Sequence, residues 1–151
     1  MQGHTTQYLL YFQIKLQRFK QVIKQRPLKL SMNYWQSAMR TIKDADVVLF
    51  VLDARMPELS RNKDLEEKLD LSDKKYFLVF NKIDLISEES LKKIKEKNRG
   101  AFFVSVHQKG NLSDLRRSLQ ILAKKEGVKL EVGVVGYPNV GKSAIINALL
   151  R

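Results

Sequence analysis

Cysteine is absent from the 151 residues. Its absence excludes disulfide frameworks and thiolate metal centres and leaves a reducing compartment unopposed. Histidine is scarce: His4 and His107 stand far apart, and no carboxylate motif accompanies either as a zinc site would need. Glycine and proline together number ten, too few for a collagen-like or low-complexity chain. Long apolar runs are missing as well. The longest, 47–52, has the length of a strand and falls far short of the ~20 residues of a membrane span. What is present is 44% apolar composition, enough for one compact core and not comfortably for two. These features predict a soluble, cytoplasmic domain with no membrane span.

Acidic residues are missing from one region only. Asp44 is the first in the chain, and eight basic residues precede it: Lys15, Arg18, Lys20, Lys24, Arg26, Lys29, Arg40 and Lys43. The formal net charge of +12 is therefore a basic leader joined to a near-balanced domain. Within the leader, Leu9, Phe12, Leu16, Phe19 and Ile23 follow 3–4 spacing among lysines and arginines, the pattern of a basic amphipathic helix. Its competing uses are a cover helix docked on the domain, a partner-binding face, an RNA-binding arm or an organelle-targeting segment. The division expected is a leader over 1–31 and a folded domain over 32–151.

From Asp46 onward, strands and helices alternate. The runs 47–53, 76–80, 101–106 and 130–135 read as buried strands. Between them, Ser60 is a plausible N-cap for a helix over 64–71, and Ser87 caps a helix with glutamates first and lysines last. A leucine stripe at 112, 115, 119 and 122 stops at Gly127. This alternation predicts an α/β fold, a parallel sheet with helices on both faces. In such sheets ligands bind beyond the carboxyl ends of the strands.

The segments that follow the strands carry the chemistry. Gly136-Tyr137-Pro138-Asn139-Val140-Gly141-Lys142-Ser143 matches G-x-x-x-x-G-K-[ST] between a strand and a helix start, the context the motif requires. Its glycines let successive N–H groups point inward as a phosphate nest. Lys142 supplies charge near the β- and γ-phosphates, and Ser143 offers a hydroxyl to Mg²⁺. Asn81-Lys82-Ile83-Asp84 separates GTP/GDP from ATP. A carboxylate at Asp84 can accept from both N1–H and the N2 amine of guanine, a donor pair adenine lacks. Asn81 can bond the base and the neighbouring loop, and the Lys82 stem can lie over the purine. The bland alternatives are a chance glycine turn and a solvated strand–helix turn.

Ser105-Val106-His107 resembles the Ser-Ala-Lys loop whose backbone N–H meets guanine O6, so Ser105 and Val106 join the guanine set through backbone. The order of the motifs, NKID and SVH before GYPNVGKS, resembles that of the circularly permuted GTPases of ribosome assembly. So does Asp53-Ala54-Arg55 with Pro57 and Ser60-Arg61-Asn62, as DARxPxxSRN after the first strand. The resemblance covers about residues 33–151. It implies a P-loop NTPase-like, circularly permuted G domain that binds GTP or GDP with Mg²⁺ and serves the large ribosomal subunit or its RNA. The strand order it implies, outward from the P-loop strand, is 130–135, 47–53, 76–80 and 101–106. The phosphate set it implies is Asn139, Val140, Gly141, Lys142, Ser143 and Ala144, although Ala144 stands where the family usually has a hydroxyl. For Asp53 and Arg55 a strand-end ion pair competes with nucleotide contact. The family's switch threonine and DxxG loop follow the P-loop helix and are not found before Arg151. The G domain is therefore expected to be incomplete, a fragment or a truncated product, with hydrolysis not expected from this chain alone. The last strand would then lie at a sheet edge open to self-association. Two other readings remain at this point: a non-catalytic RNA- or ribosome-binding module on a P-loop fold, and an ATP-dependent P-loop enzyme.

Overall fold

The computed structural model describes residues 27–108, 112–127 and 129–151, the first five of these through their backbone only. The elements run α1 (Pro27–Asp44), β1 (Val47–Asp53), α2 (Pro57–Ser60), α3 (Lys63–Asp70), β2 (Lys75–Asn81) and a 3₁₀ turn (Ile83–Leu85). After these come α4 (Glu88–Lys97), β3 (Phe102–Phe103), α5 (Ser113–Glu126), β4 (Val132–Val135) and α6 (Lys142–Leu149). All pairings are parallel and the order is β3-β2-β1-β4, the order that the resemblance implies. β4 pairs only with β1 among the described residues, so it lies at the edge.

β1 is buried at every position, and its two-residue period divides the core into two layers. Val47, Leu49 and Val51 face a layer with Val79, Leu115, Leu119, Val134, Ile145 and Leu149. Val48, Phe50 and Leu52 face a layer with Ala38, Ile42, Leu65, Leu69, Phe80 and Ile94. The unbroken apolar run of β1 is the consequence of helices on both sides.

Four local expectations need correction. Ser60 does not cap a helix: it closes the short α2, and its hydroxyl accepts from Asp53 N–H at 3.0 Å. Asn62 caps α3 instead, accepting from Leu65 N–H at 3.0 Å. The third strand keeps only Phe102–Phe103 of 101–106, because β2 ends at Asn81 and Lys82 turns away in the left-handed region. The fourth starts at Val132, not 130. Finally, α1 runs unbroken through the proposed boundary between 31 and 32. Its signals were in the sequence: Pro27 in the first turn, then Trp35, Ala38, Met39 and Ile42 at helical spacing against the core. The leader stripe from Leu9 to Ile23 lies outside the described residues. By contrast, Ser87 caps α4 through Ser90 N–H at 3.2 Å, and α5 ends at Gly127 with φ 63°, both as the sequence predicts. No described helix is long and apolar enough to cross a membrane.

Candidate functional site

Parallel pairing brings the carboxyl ends of β1, β2 and β4 to one end of the sheet, with Asp53 in register with Asn81. Each of the two P-loop glycines answers to a specific neighbour. Gly136 leaves β4 at φ 149°, and a Cβ there would run into the Val51 carbonyl. Gly141 sits at φ 96°, where a Cβ would collide with the Asn81 amide nitrogen. Asn139 also takes positive φ, 67°, as asparagine tolerates. The loop coils between these points and opens onto the N-terminus of α6, which Ile145, Ile146 and Leu149 anchor in the core. Val140 is buried, whereas Asn139 and Ser143 are exposed and Ala144 is half-buried.

Lys142 Nζ donates to the carbonyls of Gly136 and Tyr137, each at 2.7 Å. Both partners are neutral, and burial pulls the ammonium pKa down to about 8. A cation held inward by uncharged carbonyls is poised to receive an anion.

The NKID turn joins this loop directly. Asn81 Nδ2 donates to the Val140 carbonyl at 3.0 Å, and Lys82 Nζ donates to the Asn139 carbonyl at 2.6 Å. Asn81 is 1% exposed, yet its Oδ1 is buried without a hydrogen-bond partner among the described residues. A buried amide oxygen of this kind is costly unless something completes it. Asp84 is half-exposed on the 3₁₀ turn. Ile83 N–H donates to the Val104 carbonyl at 3.4 Å, which ties the turn to the third strand's exit. There Ser105 is fully buried and its hydroxyl accepts from His107 N–H at 3.2 Å, bending the SVH loop. Val106 packs against the core and His107 is exposed. The structure thus gathers the P-loop and NKID by direct bonds and sets Ser105 and Val106 beside the latter.

The DAR segment turns out to be an ion-pair hub. Arg55 clasps Asp53 with Nε at 3.0 Å and Nη2 at 2.8 Å, and Lys82 Nζ joins at 3.0 Å. Burial would raise the Asp53 pKa, but the Arg55 bonds and then Lys82 outweigh it and hold the carboxyl at about 2. Lys82 therefore connects β1, β2 and the P-loop through one ammonium. Arg61 pairs with Glu66 and reaches Asn98, a tie between α3 and the end of α4.

One residue beside the site escaped the sequence reading. Tyr34 on α1 stacks on Tyr137 of the P-loop, centroids 5.9 Å apart and planes 7° apart. Tyr137 OH also accepts from Asn62 Nδ2 at 3.3 Å. No motif marks Tyr34; only the packing of α1 brings it there. Its hydroxyl is buried without a partner among the described residues, and burial, with Tyr137 nearby, pushes its pKa up to about 12.

Several known proteins are similar to this chain in sequence. Residues 131–151 match the family model described as 50S ribosome-binding GTPase. A GTP-binding protein of Methanocaldococcus jannaschii is 43% identical over 141 residues, covering 90% of this chain and 34% of that protein. GTPase grn1 of Schizosaccharomyces pombe is 38% identical over 141 residues, 78% of this chain and 30% of that protein. The nuclear GTP-binding protein NUG1 of Saccharomyces cerevisiae is 36% identical over 144 residues, with 82% and 28% covered. The solved structure of GDP-bound TM YlqF has a TM-score of 0.49 and 26% identity over 74% of this chain and 46% of that one. The chain spans about a third of the length of the curated relatives it matches. Over most of its own length the chain is thus similar to GTP-binding proteins, and its P-loop segment to the 50S ribosome-binding GTPases.

Proposed function

We propose that this chain binds a guanine nucleotide, GTP or GDP, across the carboxyl ends of β1, β2 and β4. The observation that carries the reading is the double tie of NKID to the phosphate loop, Asn81 to Val140 and Lys82 to Asn139. It fixes a base-recognition turn and a phosphate nest at one distance, which neither motif does alone. The phosphates fall to the N–H groups of Asn139 to Ala144 and the charge of Lys142. The base falls to Asp84, Asn81 and the Lys82 stem, with the Ser105–Val106 backbone at the O6 side. The Oδ1 of Asn81, buried and unpartnered among the described residues, and the inward-held Lys142 both fit such a ligand. Ser143 would offer its hydroxyl to Mg²⁺, which when bound supplies neutralising charge at the phosphate oxygens.

The family description of the P-loop segment supports a ribosomal partner, RNA or large subunit. The test of the nucleotide reading is competition for a fluorescent guanine nucleotide. GDP should displace it at a concentration at least about 100-fold below that needed for ADP, since a site built to pair a substrate's donors rejects analogues without them. Equal competition by ADP would overturn the assignment.

A further inference from the structure

We propose that Tyr34 is a positioning residue for the phosphate loop: by stacking on Tyr137 it sets the loop carbonyl that holds Lys142. The proposal rests on the nucleotide reading above and extends it to a residue outside every motif. Three observations carry it. The stack is parallel at 5.9 Å, within the range in which offset aromatic pairs attract. Tyr137 is held from a second side by Asn62, whose own Oδ1 caps α3. And the Tyr137 carbonyl is one of the two acceptors of Lys142 Nζ, so the clamped residue is also the one that seats the lysine.

The placement of Tyr34 follows from how α1 crosses β4. Thr41 and Ala45 lie so close to Gly133 that a Cβ there would stand 2.8 Å from each. Seven residues back along α1 from Thr41, about 10 Å of helix rise, Tyr34 meets the loop four residues beyond Gly133. The tight helix–strand contact thus aims Tyr34 at the loop. Since the Tyr34 hydroxyl has no partner among the described residues, the ring and not the hydroxyl makes the useful contact. Phenylalanine should replace it.

The experiment takes the full chain with Tyr34→Phe, Tyr34→Ala, Tyr137→Ala and the double alanine variant. GDP affinity is measured on each, and amide hydrogen exchange is followed across 136–143 in nucleotide-free protein. Tyr34→Phe should bind GDP within about twofold of the unaltered chain. Each single alanine variant should weaken GDP by about 2- to 12-fold, the worth of an aromatic pair, and the double variant should lose no more than the weaker-binding single one. Exchange across 136–143 should quicken in Tyr34→Ala while β1 stays protected. Additive losses, unchanged affinity and exchange, or equal loss of protection in β1 would each overturn the proposal. If Tyr34→Ala does not fold, Tyr137→Ala, which leaves α1 intact, decides by the same exchange. Should the unaltered chain bind no GDP, the nucleotide reading falls, and slow exchange across 136–143 in Tyr34→Ala would then sink the clamp separately.

Discussion

Asp53 shows how a single residue ties the site to the stability of the sheet. Its carboxyl sits at about 2 in the folded chain against an ordinary 3.8, so the folded state binds fewer protons in that window than the unfolded one. The resulting stabilisation is complete above about pH 5 and is lost as pH falls through 4 toward 2. The melting-temperature gap between the unaltered chain and Asp53→Asn should be widest near neutral pH and narrow on acidification. A gap independent of pH would mean that Asp53 acts by shape and not by charge. Asp84, in contrast, is half-exposed and lies at the recognition turn. Asp84→Asn should weaken GDP by on the order of 1.5–3 kcal/mol, one charge-assisted bond of a bidentate pair. It should also favour xanthine nucleotides, whose carbonyl meets the new amide. Titration calorimetry with GDP and XDP reads both effects, and unchanged GDP affinity rejects the role.

At the scale of elements, the contact of α1 with β4 governs the geometry around the P-loop. β4 can lie under α1 because Gly133 has no side chain; a methyl group there meets Thr41 Cγ2 and Ala45 Cβ at 2.8 Å and the Thr41 carbonyl at 3.3 Å. Gly133→Ala should therefore destabilise the domain by about 1–3 kcal/mol, the usual cost of overpacking. Urea unfolding measures this. Adding Thr41→Ser, which removes Cγ2 and keeps the hydroxyl bonded to the Ser37 carbonyl, should return part of the loss. A neutral Gly133→Ala would show that α1 can shift freely, and would weaken the case that it aims Tyr34.

Over the whole molecule, the charge of +12 is concentrated in the chain before Asp44. An RNA partner contacting five phosphates on a single strand should give a log–log salt slope of roughly −3.5, with little dependence on sequence, since lysine-rich segments meet backbone and not base edges. Because α1 begins at Pro27, the informative deletion ends at residue 26 and not at 31. It removes Lys15, Arg18, Lys20, Lys24 and Arg26 and spares the first turn of α1. The slope should flatten while GDP binding persists. Filter binding across a salt series tests this; RNA affinity insensitive to both salt and deletion would remove the electrostatic account.

The sequence by itself determined the alternation of strands and helices and the two nucleotide motifs. These depend on local pattern: the apolar run of β1, the Ser87 cap, Gly127 at a helix end, and glycines at fixed offsets in 136–143. A short-range rule has everything it needs within a few residues. Tertiary structure alone decided what those residues touch. Ser60 looks like a cap but bonds the Asp53 backbone, and Asn62 takes the cap while reaching Tyr137. Lys82, read as a stem for the base, also bridges Asp53 and the Asn139 carbonyl. Gly141 carries a reason invisible in its own segment, the amide of Asn81 sixty residues earlier. Tyr34 meets Tyr137 across more than a hundred residues. Such contacts arise when parallel strands deliver their ends to one place and a helix packs across them. That meeting depends on the three-dimensional path of the chain, to which sequence spacing is blind.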